Sequence, residues 1–412
     1  MSRDRLYQLA FAYRAAKLWK RLYDQELFAV TLSSGRIGYC CVMGNDGPHH
    51  ALALYPGREE LESYFRLFTC SPDEVNTLRA QEIMHGQDCL QCALENKDRL
   101  TQEELDEAHF YGKAQGVPFR GKNSFPQFVR YRPMHIPEAL TDPQDAALLG
   151  EALSAALAMA SRLETDSKED CGFSLDPAVI PLLTRDETGG YRWSRHEIPM
   201  LPPPSYPTPM LEDELMLARV KRLKRTGAIW HCEVIAHPEP VPPMEAENAA
   251  ATMVFPFTLF VADLDAEMVY CTHGVPDCRE DAGTLLWEFA SLMTETSKPL
   301  QVLVRDDRTE ALLSQFTKAV SVDLVRVETD DILDDVQQQW QDDLADSERS
   351  IQQSIAFLSE IVMSLNDEDL YNMPESLWQK LWTFASQGLL PKEMSQRILS
   401  LDRNPQDFDP EE

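Results

Sequence analysis

Five carboxylates of this chain have the spacing that could do chemistry: Glu233, Asp306, Asp307, Asp334 and Asp335, with Glu288 between them. They fall in or beside successive strand and helix candidates. Carboxylates gathered from a first strand, a fourth strand and the helices can hold two Mg²⁺ ions about 4 Å apart for hydrolysis of a phosphodiester. The bland account is strong. The first strand carries Glu where that chemistry expects Asp, Asp307 serves as well as a helix cap, and Glu288 suits a solvated helix face. With 68 Asp and Glu in 412 residues, some fall near such positions by chance.

Cys89 and Cys92, with His85 before them, have the spacing of half a zinc site. A structural site needs four ligands, and no second CxxC exists; Cys271, His273 and Cys278 are the available partners. Residues three apart on a strand face opposite sides, which argues against a shared ion. Arg120, Lys122, Arg130 and Arg132 alternate with Phe119, Phe125, Phe128 and Tyr131. Interleaved basic and aromatic residues suit an anion or a nucleotide, and a strand with aromatics inward explains the pattern too. Gly121 would let a ligand approach the backbone closely. Adjacent His49 and His50 chelate one ion poorly and read as a surface loop. There is no G-x-S-x-G, P-loop or G-x-G-x-x-G, so nucleophilic catalysis has no support.

These residues need elements to hold them. Between about 228 and 345 the pattern is strand, strand, strand, helix, strand, helix, strand, helix. The strands are Ile229 to His237, Val254 to Ala262, Met268 to Thr272, Leu300 to Val304, and a run through Val322 and Val325. Asp306 to Glu310 is a helix start. Strands separated by a helix imply a parallel crossover. A βββαβαβα series is the ribonuclease-H-like order of elements. Upstream, strands at Leu27–Leu32, Arg36–Met43, Ala51–Tyr55, Cys89–Leu94 and Gln127–Tyr131 alternate with helices near 58–69, 101–113 and 144–163. That is α+β with an antiparallel sheet. The expected organisation is an N-terminal α+β domain over 1–165, a loop and Pro-rich connector over 166–210, an α/β domain over 211–346, and an acidic helical C-terminal region over 347–412.

Charge is uneven. The chain carries −30 net, yet residues 1–140 hold 17 basic and 18 acidic residues while residues 326–412 hold 6 and 20. Such a surface repels phosphate backbones, so nucleic-acid binding is disfavoured. The basic run at Arg219, Lys221, Arg222, Lys224 and Arg225 suits a helix C-terminus. Nine cysteines without framework spacing point to reduced thiols in a cytoplasm. No apolar run approaches the roughly 20 residues a bilayer requires, so no membrane partner is expected.

Gly38-Tyr39-Cys40-Cys41-Val42-Met43-Gly44 and His50-Ala51-Leu52-Ala53-Leu54-Tyr55 resemble the N-terminal domain of an uncharacterised bacterial, Firmicutes-type family. Phe119-Arg120-Gly121-Lys122-Asn123 and Pro126-Gln127-Phe128 resemble it too. Lys298 to Asp306, with Thr309 to Leu313, resembles a second domain found in tandem with it. Both are domains of unknown function. The resemblance implies a bacterial cytosolic protein and no assigned activity. The reading that follows is a non-catalytic module that binds a protein partner or a small anionic ligand, with no cofactor. The alternative is a divergent metal-dependent hydrolase or nuclease on the second domain.

Overall fold

Apolar and small residues alternate through the first third of the chain, and the strands they form close into one sheet. The structure is a computed structural model that describes residues 1–70, 77–242, 252–371, 373–386, 390–401 and 403. The strands are β1 (Phe28–Thr31), β2 (Ile37–Met43), β3 (His50–Tyr55), β4 (Cys89–Glu95), β5 (Phe125–Tyr131), β6 (Glu138–Ala139), β7 (Val179–Arg185) and β8 (Tyr191–Glu197). They lie in the order β6-β5-β4-β3-β2-β1-β7-β8. Neighbours are antiparallel except β1 and β7, which run parallel. The β7–β8 hairpin was not anticipated; no strand is read between 166 and 210 from the sequence.

The two-residue period of a strand sorts the side chains onto two faces. On one face Cys40, Leu52, Leu54, Leu90 and Cys92 meet α1 (Arg3–Ala16) and α5 (Pro143–Arg162) through Leu6, Leu149, Leu153 and Ala156. On the other, Tyr39, Cys41, Ala53 and Tyr55 pack with Leu61 and Tyr64 of α2 (Arg58–Arg66). Between β3 and β4 lies α3 (Leu78–His85), and between β4 and β5 lies α4 (Gln102–Ala114). Local chemistry starts these helices. Thr101 and Glu104 form a reciprocal capping box before α4. Asp142 accepts the Gln144 and Asp145 N–H groups at the head of α5, where Pro143 needs no partner.

After α6 (Glu214–Arg222) comes a second sheet: β9 (Ile229–Ala236), β10 (Phe257–Asp263), β11 (Met268–Cys271), then α7 (Ala282–Glu295), β12 (Gln301–Val304), α8 (Asp307–Val320) and β13 (Asp323–Arg326). The strand order is β11-β10-β9-β12-β13. β9–β10 and β10–β11 are antiparallel, and β9–β12 and β12–β13 are parallel. This is the meander followed by crossovers that the sequence pattern demands. Trp230, Cys232 and Val234 of β9 pack with Leu285, Phe289, Leu313 and Phe316 of α7 and α8. The Trp230 indole N–H donates to Asp263 Oδ2 at 2.8 Å, which satisfies two polar groups taken out of water. The two sheets belong to one compact unit, Met1–Asp330. The His85 ring stacks on Phe255 with centroids 3.7 Å apart. The Met134 N–H donates to the His85 carbonyl, and the Phe255 N–H to the Met134 carbonyl.

The second unit, Asp331–Glu412, is helical. It holds α9 (Asp331–Ser364), α10 (Asp367–Tyr371), α11 (Glu375–Ser386) and α12 (Lys392–Leu399). α9 is one helix of 34 residues. Leu358, Val362, Leu370, Trp378, Leu381 and Ile398 form the core of this unit. Arg397 closes it from the side, bonded to Asp367 at 2.8 Å and to the Val362 and Leu365 carbonyls. These carbonyls end α9, where a helix leaves acceptors unsatisfied. The fold is thus α+β with two mixed sheets and a helical C-terminal region. No helix among the described residues is long and apolar enough to cross a membrane.

Candidate functional site

In open sheets with parallel strands, ligands gather at the carboxyl ends of strands where the chain order reverses. In the five-stranded sheet that point lies between β9 and β12. Alternation on β9 sends His231 and Glu233 to the face opposite α7 and α8. The parallel register pairs Val304 with Cys232, which brings Arg305 beside Glu233. The Arg305 guanidinium donates Nε and Nη2 to Glu233 Oε2 at 3.0 and 2.7 Å. Both side chains are at most 17% exposed. His231 Nδ1 and Asp330 Oδ2 are 2.7 Å apart and nearly buried.

Three residues further on, Arg308 forks onto Glu82 of α3, with Nη1–Oε1 at 2.7 Å and Nη2–Oε2 at 3.1 Å. It also donates to the Val234 carbonyl and lies over the Phe257 ring at 5.1 Å. Burial alone would lower the Arg308 pKa. The Glu82 carboxylate more than offsets this, so the net shift is upward and the charge is locked in. Asp306, and not Asp307 as the sequence suggests, caps α8: its Oδ1 accepts the Thr309 N–H at 2.9 Å, while Asp307 is already the first residue of the helix. Among the described residues Asp306 Oδ2 and Arg308 Nε are buried without a hydrogen-bond partner.

The remaining candidate residues are spread out. Asp307 is on the surface of α8, paired with Arg326 at 2.9 Å. Glu288 of α7 accepts from His273. Asp334 and Asp335 lie in the first turns of α9, in the second unit. Cys89 and Cys92 point into the two different cores of the eight-stranded sheet. Burial raises both thiols to about 12, so neither is a ready thiolate ligand. His85 is stacked on Phe255, and burial lowers its pKa. Among the described residues no group of three or more His, Cys, Asp and Glu is gathered as a metal ion requires.

The basic set splits along β5. Arg130 and Arg132 sit at its carboxyl end and are paired. Arg130 Nη1 is 2.6 Å from Asp88 Oδ1, and its Nε is 3.7 Å from Asp145; Arg132 pairs with Glu138. Arg120 and Lys122 lie before the other end, a strand of seven residues and roughly 20 Å away. They are exposed and have no partner among the described residues. Their loop is not loose. Arg14 donates to the carbonyls of Pro118 and Ser124, and the Asn123 N–H donates to Asn96 Oδ1 at 2.9 Å. Gly121 and Asn123 take left-handed conformations, φ 82° and 52°.

His231, Arg305, Arg308, Glu82 and Asp330 are absent from the sequence-based candidates. Arg305 was within reach, because it follows β12 directly and a parallel β9–β12 pair must set it near Glu233. Glu82 and Arg308 are 226 residues apart, and no local pattern links them.

The class this architecture defines is a chain with two tandem α+β modules, an antiparallel-rich one and a five-stranded mixed one. Residues 4–176 match the family model described as Domain of unknown function (DUF7309). Residues 216–341 match the one described as Domain of unknown function (DUF6930). No curated protein and no solved structure matches the chain.

Proposed function

We propose that this chain is a non-catalytic binding protein of the bacterial cytoplasm, taking a small anionic ligand on its first module and a protein partner elsewhere. One observation carries the non-catalytic reading. At the junction of β9 and β12 the carboxylates are each engaged: Glu233 by Arg305 and Glu82 by Arg308 in ion pairs, and Asp330 by His231 in a hydrogen bond. A pair of divalent cations needs converging carboxylates that keep their charge, and guanidinium groups among them oppose a dication. The anion reading rests on Arg120 and Lys122. They are cations on a pinned loop with no acidic partner among the described residues, whereas Arg130 and Arg132 have theirs. The protein-partner reading rests on charge, since residues 331–412 hold 5 basic and 18 acidic residues and suit a basic surface.

The competing reading, a divergent metal-dependent hydrolase, has its own support in the strand order and in the buried, unpartnered Asp306 Oδ2 at the carboxyl end of β12. Calorimetric titration with Mg²⁺ and Mn²⁺, run beside an assay on an RNA–DNA hybrid, separates the two. We expect no saturable heat and no cleavage. Saturable metal binding and hydrolysis that both vanish in Glu233→Gln would establish the hydrolase instead. In a melting screen with phosphate and citrate, wild type should rise by about 1–3 °C and the Arg120→Ala/Lys122→Ala variant should not. Equal shifts in both proteins would remove the loop as the site.

A further inference from the structure

Elsewhere in the first unit, a small cavity of ≈ 250 Å³ opens at the carboxyl ends of β1 and β7, the one parallel pair of the eight-stranded sheet among the described residues. It is distinct from the Arg120 loop. Thr31, Ser33, Glu151, Thr184, Arg185 and Tyr191 supply its polar lining. Two hairpin turns frame it, and both are held by their own hydrogen bonds. In the β1–β2 turn the Leu32 N–H donates to the Arg36 carbonyl and the Gly35 N–H to the Leu32 carbonyl. In the β7–β8 turn Asp186 Oδ1 accepts from the Thr188 and Gly190 N–H groups, each at 2.9 Å. Gly189 supplies the left-handed residue, φ 86°, that this turn needs. Thr31 and Thr184 join the two strands through a hydroxyl pair at 2.9 Å. The walls are therefore fixed before any ligand arrives.

Opposite charges line this cavity without meeting. Glu151, on α5, accepts the Ser33 N–H at 2.8 Å and makes no ion pair among the described residues. Arg185 is exposed, and its guanidinium has no partner among them. Register sets Tyr191 directly opposite Arg185 on the neighbouring strand. Burial raises the Tyr191 pKa first; Arg185 lowers it and Glu151 raises it, so both charges are felt at the phenol. The phenol has no hydrogen-bond partner among the described residues. A carboxylate and a guanidinium that flank a cavity yet do not pair with each other leave a dipole for a ligand to complete.

We propose that this cavity binds a small zwitterion of the free amino-acid class, its carboxylate on the Arg185 fork and its ammonium on Glu151. Guanidinium matches carboxylate geometry two-pronged, and the ammonium donates to the carboxylate oxygens that Ser33 leaves open. The Tyr191 hydroxyl adds a neutral hydrogen bond. The volume of ≈ 250 Å³ suits a ligand of free amino-acid size.

The test uses the full chain and free L-amino acids added one at a time, read by melting temperature and then by calorimetry. At about 10 mM, at least one should raise the melting temperature by about 1–3 °C and give saturable heat. Its N-acetyl and amide forms, which lack the ammonium or the carboxylate, should do neither. Arg185→Gln and Glu151→Gln should each weaken binding at least about tenfold, the loss of one charge-assisted contact. Glu151→Gln keeps the acceptor for Ser33, so the turn survives. If either variant melts below wild type, Arg185→Lys serves instead; it keeps the charge, loses the fork, and should bind more weakly. No shift with any free amino acid, equal shifts with the blocked forms, or unchanged affinity in the variants would each overturn the proposal.

Discussion

The two sheets handle buried polarity in different ways. The eight-stranded sheet puts apolar groups on both faces, and most of the ionisable groups it buries are thiols and phenols kept neutral, with Glu95 beside His49 and Arg130 beside Asp88 as the exceptions. Cys40, Cys41, Cys89 and Cys92 all have raised pKa values from burial, and the Tyr13 hydroxyl donates to the Ala51 carbonyl at 3.0 Å. The five-stranded sheet puts apolar groups against its helices and charges on the other face, where they stand in couples. Neutral burial costs little per group. Charged burial is tolerable only while each partner stays in place, because removing one leaves the other desolvated and unpaired. The comparison teaches where this chain is brittle: a single loss in the five-stranded sheet should matter far more than a single loss among the surface charges.

The largest effect should follow from Arg308→Met. It strands the Glu82 carboxylate and the Val234 carbonyl, and urea unfolding should report a loss of about 3–5 kcal/mol. Adding Glu82→Gln should recover much of that; a double variant as unstable as the single one would break the contrast between the sheets. A second effect belongs to the eight-stranded sheet and depends on pH. The folded chain holds the Cys92 proton up to about 12, against 9.0 when exposed. The stabilisation is complete below about pH 9 and is lost as pH rises from there toward 12, because the unfolded chain releases its proton first. In Cys92→Ala the alkaline slope of unfolding free energy should flatten by up to about 1.4 kcal/mol per pH unit. An unchanged slope would mean the thiol is not sequestered. The smallest effect should come from Arg326→Ala, which cuts exposed contacts to Asp307 and Glu310. Those partners are largely solvated, so the loss should be about 0.5 kcal/mol or less by the same unfolding measurement. A larger value would blur the line between buried couples and surface pairs.

Legibility in the sequence followed the same divide. Strands and helices announced themselves where period and punctuation agreed. The strands read at Cys89–Leu94 and Gln127–Tyr131, the βββαβαβ series and a helix start in Asp306 to Glu310 were all legible from residue types and spacing, with the cap falling on Asp306 and not on Asp307. The β7–β8 hairpin was not, because Pro181 interrupts one strand and Tyr191–Glu197 is polar at nearly every position. Only Tyr191 and Trp193 give that strand an apolar side, too short to announce it, and its pairing with β7 makes it a strand. The ionic couples were hidden for another reason. Pairing is a property of register and of distant loops. The acids at Glu233 and Asp306 were visible; Arg305 could have been placed beside Glu233 from the β9–β12 register, whereas nothing local joins Arg308 to Glu82.

That hairpin has a consequence for how the molecule meets other molecules. Without β7, strand β1 would end the sheet with a row of unused backbone donors and acceptors, a template on which any extended chain can add itself. β7 occupies that template. The strand then left outermost is β8, which carries exposed Arg192, Arg195 and Glu197 and discourages a further partner by charge. At the opposite margin β6 is only two residues long. The match to the first family model stops at residue 176, short of the hairpin. A fragment cut there is expected to self-associate through β1, while one extended to residue 197 should stay dispersed.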